Sequence, residues 1–406
     1  MKYGMTTNET LISEESFVKE NNMDLLAQIC TLSKERELFP RGLDPRRPVG
    51  IFCSLHQLVR AWRHVKAGWS GPISSFLLPD TAWSQRYRLK LVSSRILRMV
   101  GGPYVFMLDE CVGSAKFHET QWCLFGAPSI LQWMAFRLAR LGMRRVWFVQ
   151  DPEYGKCWRL DQDEFRANKA DLVALVESMQ DDDSRRTILS ILQQRLTGDT
   201  DYVYLPSYRQ YEHPRVCAIE GDIVVEAGAE KGEHTRIFSQ AVGPTGHVYA
   251  FEPAPHVLSE CQQAIDSCRN VSILPVALGQ ERGSQPFILD NCGQSHVDMS
   301  RSDKTNALGR IEVVVRTLDD FVREQGLARV NLIKMDTEGY EMPILRGALQ
   351  SLRKYQPKLQ ISIYHKPKDL WEIPAWIRQQ VPGYRFYIGH HSWQWETVLY
   401  AVHDSV

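Results

Sequence analysis

The chain has 406 residues, of which 44% are hydrophobic, and it carries 48 acidic and 48 basic residues, so its formal net charge is zero. This length predicts more than one domain, and the zero net charge removes the bulk electrostatic argument for nucleic acid or an anionic membrane as a partner. Nine cysteines form an odd set without a CxxC pair, which indicates free thiols rather than a disulfide framework or a zinc site. The polar N-terminus lacks the apolar core of a secretory signal and no apolar run reaches membrane-spanning length. We therefore expect a cytoplasmic protein without a membrane span.

Short apolar runs in the first half of the chain predict buried strands. They are Val49–Cys53, Pro103–Asp109, Trp122–Ala127 and Arg144–Asp151. Between the last two lies Ser129–Gly142, whose apolar residues recur at the three-and-four spacing of a helix. This alternation favours a parallel sheet with helices on its faces.

The last of these repeats has the strand, turn, helix and strand order of a dinucleotide-binding unit. Gly126 is the only glycine where such a turn needs three, and Pro128 would obstruct a pyrophosphate. We therefore predict that residues 1–164 form a degenerate Rossmann-like α/β domain without a cofactor. Such a domain could bind or orient an acceptor, or build the interface of a homo-oligomer.

Residues 165–201 are charged and helix-forming, and they predict a helical connector. Asp181, Asp182, Asp183 or Ser184 can cap a second helix there, and Gly198 can end it. The strand and helix alternation then restarts, which predicts a second α/β domain over residues 202–406. Its expected strands read DIVVEAG, HVYAFEP, VSILPVAL, IEVVVRTL, VNLIKMD and LQISIYH, followed by a closing pair, YRFYIGHH and ETVLYAV.

The stretch DIVVEAGAEKGEHT predicts a strand, a turn of small residues and a helix. Gly228, Ala229 and Gly232 let a ligand approach the backbone, and the start of the helix offers unpaired N–H groups. Glu252 ends the next strand, where a carboxylate can accept both hydroxyls of a ribose. Glu226 ends the first strand, and the turn has no P-loop lysine. A ligand with a ribose and a cationic centre is favoured over a triphosphate, and S-adenosylmethionine is such a ligand.

Six segments in this order resemble the FkbM family of S-adenosylmethionine-dependent methyltransferases. They read VVEAGAEKGEHT, GHVYAFEP, VALG, TLDDF, NLIKMDTEGYEMPILRGA and SIYHKPKDLWEIP. The resemblance covers roughly residues 216–402, and IKMDTEGYE followed by LRGA is its most specific part. The connector is also similar to a segment that precedes the methyltransferase fold in longer members of the family.

The resemblance implies a class I methyltransferase-like Rossmann fold, in which a mostly parallel sheet ends in an antiparallel pair. It implies S-adenosylmethionine as cofactor, with the adenine near Ala277 and Leu278, and a catalytic strand end at Asp336, Glu338 and Gly339. The full set of cofactor-binding residues that we carry over is Glu226, Gly228, Ala229, Gly232, Thr235, Glu252, Pro253, Ala277 and Leu278. Glu230 stands where the family more often has a neutral amide, so Lys231 or His234 would have to compensate its charge.

Methyl transfer is an in-line displacement that needs an aligned acceptor and, for a hydroxyl, a group that takes its proton. Asp336 and Glu338 follow a predicted strand, where they could orient the acceptor, take its proton or hold a divalent cation. His365 ends a neighbouring strand and is an equal candidate for the base. Asp336 could instead cap a helix, and His365 could bond a backbone carbonyl. A divalent metal is compatible with this pattern, but no residues are assigned to one.

We expect structural rather than catalytic roles for two further residues of this region. We expect Glu341 to pair locally or to cap a helix, and Lys334 to neutralise buried carboxylates.

Two loops offer candidates for contact with the acceptor. His390 and Trp393 lie beside His391 and Trp395 between the last two strands, where aromatic faces suit a sugar or a planar ring. Ordinary packing at a sheet edge is the alternative. Ser295 and His296 lie in the polar segment Asp290–Asp303, which could be a lid or a surface loop. The list of candidate substrate residues is Ser295, His296, His390 and Trp393.

We therefore expect a methyltransferase that uses S-adenosylmethionine to methylate a hydroxyl on a sugar, a polyketide or a related metabolite. Its partner would be a small-molecule or saccharide acceptor, without nucleic acid. Two alternatives stay open. One is a non-catalytic, methyltransferase-like binding protein, and the other is a sugar-nucleotide enzyme that works through the N-terminal domain.

Overall fold

The computed structural model describes residues 44, 46–53, 58, 60–63, 69, 71–78, 105–107, 117, 119–126, 147–150, 162–197, 204–289, 296–297, 309–392 and 396–405. The chain divides into two compact units. Unit 1 comprises Met1–Asn168, Leu189–Tyr204 and Ser392–Gln394, and unit 2 comprises Lys169–Ile188, Leu205–His391 and Trp395–Val406. Within the described residues, no helix is both long and apolar enough to cross a lipid bilayer.

Unit 1 contains a five-stranded parallel sheet. Its strands are β1 (Val49–Cys53), β2 (Ile73–Leu78), β3 (Val105–Met107), β4 (Gln121–Gly126) and β5 (Trp147–Gln150), in the order β3-β2-β1-β4-β5. The four predicted strands are present, and β1 is buried along its whole length. Sequence analysis missed β2, because two serines interrupt its apolar run. The predicted helix at residues 129–142 lies outside the described residues, and the assignment of a degenerate Rossmann-like domain remains a prediction.

Three helices follow, as the connector pattern predicts. They are α1 (Gln162–Ala167), α2 (Lys169–Ser178) and α3 (Asp182–Thr197). Asp181 is the capping residue, because its Oδ1 accepts a hydrogen bond from the backbone N–H of Ser184 at 2.8 Å. The Ser184 hydroxyl in turn accepts the N–H of Ile388 at 3.0 Å. The start of α3 is thereby fixed within unit 2.

The main sheet of unit 2 has seven strands in the order β15-β16-β14-β13-β6-β7-β8. Five of them are parallel, whereas β16 runs antiparallel to both β14 and β15, so the predicted antiparallel end pair is confirmed. The strands are β6 (Ile223–Ala227), β7 (His247–Phe251), β8 (Val271–Leu274), β13 (Leu332–Met335), β14 (Lys358–Ser362), β15 (Tyr384–His390) and β16 (Thr397–His403).

Six helices accompany this sheet, and the central strands are buried between them. The helices are α4 (Glu233–Val242), α5 (Pro255–Ala264), α6 (Leu318–Glu324), α7 (Glu341–Gly347), α8 (Leu349–Tyr355) and α9 (Asp369–Gln380). Every residue of β13 and of β14 is buried. Both faces of these parallel strands are therefore covered. The buried positions include four polar residues, Lys334, Lys358, Gln360 and Ser362.

A second, four-stranded sheet in unit 2 was not predicted. It has the order β11-β10-β12-β9, formed by β9 (Ala277–Leu278), β10 (Gly283–Leu289), β11 (His296–Val297) and β12 (Gly309–Arg316). The run VSILPVAL, predicted as one strand, is divided between the two sheets, with β8 in the main sheet and β9 in the small one. Pro275 separates them, since proline has no N–H to donate to a ladder. The division turns the chain so that Ala277 and Leu278 can face a ligand site.

Candidate functional site

A cavity of about 400 Å³ lies at the carboxyl ends of β6, β7 and β13. This is the edge at which open parallel sheets bind ligands. All of its lining residues belong to unit 2. The predicted site residues among them are Gly228, Ala229, Glu252, Pro253, Ala277, Leu278, Asp336 and Glu338.

The glycine turn after β6 is held between two neighbouring strands. The N–H groups of Gly228 and Ala229 both donate to the carbonyl oxygen of Phe251, at 3.0 and 3.2 Å. Gly228 has a φ of 81°, and a Cβ there would overlap the carbonyl oxygen of Asp336. Only glycine meets both conditions. Gly232, also left-handed, faces α5 and does not line the cavity.

Glu252 presents a fixed carboxylate at the cavity wall. Its Oε2 accepts the N–H of Glu230 and its Oε1 accepts the N–H of Ala254, both at 2.8 Å. Burial raises the pKa of Glu252, and these two backbone hydrogen bonds oppose that rise. A carboxylate oriented in this way can accept hydroxyl donors from a ligand.

A buried ion pair supports the turn from below. Glu226 is fully buried, accepts a hydrogen bond from the Thr235 hydroxyl at 2.6 Å and lies 3.4 Å from the Lys334 ammonium. Burial raises the pKa of Glu226 while the Lys334 charge lowers it. Lys334 also donates to the carbonyl oxygen of Gly228 at 2.6 Å, so its predicted role in neutralising a buried carboxylate is confirmed. Glu226 and Thr235 do not line the cavity.

Asp336 is oriented by two tyrosines that sequence analysis did not select. The Tyr211 hydroxyl donates to Asp336 Oδ2 at 2.8 Å, and the Tyr364 hydroxyl lies 3.4 Å from Oδ1. Burial, followed by the Asp336 charge, raises the pKa of Tyr211 well above its usual value, so Tyr211 remains a donor. Tyr211 precedes β6 and its N–H is bonded to the Tyr400 hydroxyl at 3.0 Å. These hydrogen bonds show Asp336 engaged by side chains rather than as a helix cap.

His365 is enclosed by carboxylates. Its Nδ1 lies 2.9 Å from Glu341 Oε1, and its Nε2 lies 3.4 Å from Asp336 Oδ1 and 3.6 Å from Glu338 Oε1. Burial would lower the pKa of His365, but the charges of Glu341 and Glu338 outweigh it and hold the pKa well above its usual value. His365 does not line the cavity. Its role as general base stays a prediction.

Glu341 has the local role that the sequence predicted. Its Oε1 accepts the N–H groups of Thr337 at 2.9 Å and Gly339 at 3.3 Å. Burial would raise the pKa of Glu341, but the His365 charge and hydrogen bonds lower it to about 2. Glu341 thus holds the turn after β13 through these two backbone hydrogen bonds.

Glu396 is a cavity residue that sequence analysis missed. It lies just before β16, and burial, followed by the Asp336 charge, raises its pKa to about 7. Its φ of 48° is left-handed, as are those of Glu230 (47°), Glu338 (54°) and Tyr211 (63°). Such conformations are costly for non-glycine residues and concentrate at functional sites. Glutamate and tyrosine carry no local sequence signal for this conformation, which explains why the site was incompletely predicted.

The cavity is acidic. Burial lowers the pKa of His234 to about 4, so His234 is neutral at pH 7. Lys231 lies 3.5 Å from Glu260, and of the two residues expected to compensate Glu230 it is the charged one. Burial raises the pKa of Glu230, and the Lys231 charge opposes that rise. The carboxylates that line the cavity are those of Glu230, Glu233, Glu252, Asp336, Glu338 and Glu396. This composition suits a cationic ligand.

The predicted acceptor residues are only partly described. His390 is 1% exposed, its Nδ1 lies 2.9 Å from the Thr397 hydroxyl, and it does not line the cavity. Ser295 and Trp393 lie outside the described residues, and only the backbone of His296 is described, in β11. Contact of these residues with an acceptor remains a prediction.

Comparison with known proteins finds a family match for the part of the chain that contains the cavity. Residues 226–386 match the family described as the methyltransferase FkbM domain. This part of the chain is therefore similar to an FkbM methyltransferase domain. Its relatives include the 2-O-methyltransferase NoeI of Sinorhizobium fredii, 25% identical over 183 residues that cover 41% of this chain and 75% of NoeI. The hexuronic acid methyltransferase AglP of Haloferax volcanii is 24% identical over 159 residues, which cover 38% of this chain and 62% of AglP.

One solved structure resembles nearly the whole chain. The crystal structure of methyltransferase FkbM from Methylobacillus flagellatus covers 94% of this chain and 99% of its own, with a TM-score of 0.60 and 16% identity. At this identity the similarity shows the fold alone. The α/β architecture with a mostly parallel sheet is therefore shared with an FkbM methyltransferase.

Proposed function

We propose that this protein is an S-adenosylmethionine-dependent O-methyltransferase that acts on a hydroxyl of a saccharide or a related small molecule. The observation that carries the proposal is the cavity at the carboxyl edge of an FkbM-family domain. There the glycine turn at Gly228 faces the fixed carboxylate of Glu252 and the strand end at Asp336. The cavity has the mixed character that this cofactor needs, with acidic groups for its cationic centres and no P-loop lysine for a phosphate.

The cofactor would lie along the carboxyl ends of β6 and β7. Glu252 would accept the ribose hydroxyls, and Gly228 and Ala229 would admit the amino acid portion close to the backbone. The adenine would pack on the apolar wall that Leu278 shares with Phe287 of the small sheet. The sulfonium would then lie towards Asp336, Glu338 and Glu396.

Methyl transfer requires attack by the acceptor oxygen on the methyl carbon. The new O–C bond forms as the C–S bond breaks, the bonding electron pair stays on sulfur, and the hydroxyl proton must leave. Glu396 is the better recipient for this proton, because it lines the cavity and its raised pKa lies near neutral pH. Asp336, held by Tyr211, would orient the acceptor.

The names of two relatives support a saccharide as the proposed class of acceptor. NoeI is named for 2-O-methylation and AglP for a hexuronic acid, and both align with the domain that contains the cavity. A hydroxyl-bearing sugar is therefore the first acceptor to test.

The test is a transfer assay with S-adenosylmethionine and a panel of methyl glycosides and glucuronides, in which mass spectrometry detects methylated product and S-adenosylhomocysteine. We expect transfer to a panel member. We expect Glu396→Gln to lower kcat by about a hundredfold or more, the scale of general-base catalysis. Glu372→Gln, an exposed change on α9, is the matched control. A protein that binds S-adenosylmethionine but methylates no member of the panel would contradict the saccharide class and favour a non-catalytic binding protein.

A further inference from the structure

Two carboxylate groups that line the cavity approach one buried imidazole nitrogen. His365 Nε2 lies 3.4 Å from Asp336 Oδ1 and 3.6 Å from Glu338 Oε1, both longer than a good N–H···O hydrogen bond. Nε2 is buried and makes no hydrogen bond of ordinary geometry to any residue that the structure describes. Two ligands at about 2.1 Å from one tetrahedral metal are about 3.4 Å apart, so the spacing matches a shared cation.

The outer contacts of these ligands are also in place. Glu341 lies 2.9 Å from His365 Nδ1, on the side of the ring opposite Asp336 and Glu338. Tyr211 donates to Asp336 Oδ2 at 2.8 Å, while Oδ1 lies 3.4 Å from both His365 Nε2 and the Tyr364 hydroxyl. Metal-binding histidines are usually oriented by a carboxylate at their other nitrogen, and metal-binding carboxylates by a hydrogen-bond donor. Here Tyr211 donates to Asp336, and Glu341 lies close to Nδ1, although Nδ1 makes no hydrogen bond of ordinary geometry to a described residue.

The local charge is negative. The carboxylates of Asp336, Glu338 and Glu341 surround one imidazole, and the ligand atoms of Asp336, Glu341 and His365 lie within 4.8 Å of one another. Glu341 Oε2 is buried without a hydrogen-bond partner among the described residues. Lys334, the lysine at the same strand end, is engaged by Glu226 and by the carbonyl oxygen of Gly228. An added cation would offset this charge.

We propose that Asp336, Glu338 and His365 bind a divalent first-row transition cation such as Mn²⁺ or Zn²⁺. Two carboxylates and one imidazole suit these metals better than Ca²⁺ or Mg²⁺, which prefer oxygen ligands alone. Glu341 and Tyr211 act as positioning residues for His365 and Asp336. The role of the cation rests on the proposed function. Beside the sulfonium it would hold the acceptor hydroxyl and favour its ionised form, while Glu396 takes the proton.

The experiment titrates Mn²⁺ into the chelator-treated full-length protein and follows free Mn²⁺ by electron paramagnetic resonance, with a parallel calorimetric titration of Zn²⁺. We expect one micromolar site per chain. Glu338→Gln, a partly exposed change that should leave folding intact, is expected to weaken Mn²⁺ binding by more than tenfold. Tyr211→Phe, which removes the hydrogen bonds of the hydroxyl to Asp336 and to Ser362, is expected to weaken it by about tenfold. Glu252→Gln is the matched carboxylate control, and we expect it to retain the metal.

Two results would overturn the proposal. One is the absence of Mn²⁺ and Zn²⁺ binding below about 1 mM, which corresponds to a very weak site. The other is equal binding by the protein, Glu338→Gln and Tyr211→Phe, which would mean that the ions bind elsewhere. S-adenosylmethionine binding is measured separately in the presence of chelator. Loss of the metal site with cofactor binding intact would refute this proposal alone, whereas loss of cofactor binding would refute the proposed function.

Discussion

Gly228 is the residue whose chemistry the fold most narrowly restricts. It combines a left-handed φ of 81° with a Cα that faces the Asp336 carbonyl oxygen. We expect Gly228→Ala to lower the free energy of unfolding by about 3 kcal/mol or more, because overlap with rigid backbone adds to the conformational strain. Urea unfolding measures this loss, and a titration should show that S-adenosylmethionine binding is lost with it.

Gly326→Ala separates these two contributions. Gly326 has a φ of 62°, but no heavy atom lies within 4 Å of the position of an added Cβ. We expect this control to cost about 1 kcal/mol, the cost of the left-handed conformation alone. Equal losses for the two alanine variants would show that the contact with Asp336 has no energetic consequence.

At the scale of single residues, the sequence predicted those that belong to a continuous local pattern. Gly228 follows an apolar strand, and Glu252 ends the next one, so their meeting follows from the geometry of parallel strands. Tyr211 and Glu396 come from opposite ends of the domain and reach the cavity only through its tertiary structure. No spacing rule connects them with Asp336.

At the scale of elements, a buried ion pair joins β13 to β6. Lys334 and Glu226 occupy paired positions in the two strands, and each is at most 3% exposed. We expect Lys334→Met to lower the free energy of unfolding by about 3–5 kcal/mol, because it leaves a buried carboxylate unpaired. The double variant Lys334→Met/Glu226→Leu should recover much of this loss. Chemical denaturation of the two single variants and the double variant forms a complete cycle, and strictly additive losses would refute the coupling.

The segment before β6 contributes a pH dependence through its contact with β15 and β16. His213 stacks on Tyr400 at 4.9 Å, and burial lowers its pKa to about 4 although Asp181 opposes the shift. The unfolded chain binds the proton below a pH of about 6.5, whereas the folded chain does so only near 4. The contribution of His213 to the free energy of unfolding is therefore fully present above a pH of about 6.5, and it declines as the pH falls towards 4.

The measurement is the melting temperature between pH 4.5 and 7.5. We expect His213→Phe, which keeps an aromatic ring on Tyr400, to reduce the loss of stability on acidification. His391 contributes in the same direction, since burial also lowers its pKa to about 4. An identical slope in the variant would rule out His213 as a source of the pH dependence.

The prediction of strands was wrong where one apolar run contributes a strand to each of two sheets. The strands around Gly228 were placed to within a few residues, because their apolar runs are bounded by polar turns. In VSILPVAL the apolar pattern continues through Pro275, and only the missing N–H indicates a break. Strand β10 is exposed along its first residues, so its sequence lacks the alternation that would identify it.

At the scale of the whole molecule, two α/β units and a helical connector follow from the alternation of strands and helices. The FkbM structure from Methylobacillus flagellatus aligns with 94% of the chain, which shows similarity of fold. The boundaries of the units are less regular than a division at residues 164 and 201, because each unit includes separate stretches of chain. Sequence periodicity detects elements but not the later return of the chain to an earlier unit.

The central claim is that the cavity of unit 2 binds S-adenosylmethionine through Glu252. Isothermal titration calorimetry with S-adenosylmethionine and S-adenosylhomocysteine tests it directly. We predict micromolar binding of both ligands, about −8 kcal/mol. We predict at least tenfold weaker binding by Glu252→Gln, because the NH₂ group of the amide cannot accept a hydrogen bond from a ribose hydroxyl. Absence of binding by either ligand to folded protein, or unchanged affinity in Glu252→Gln, would contradict the account.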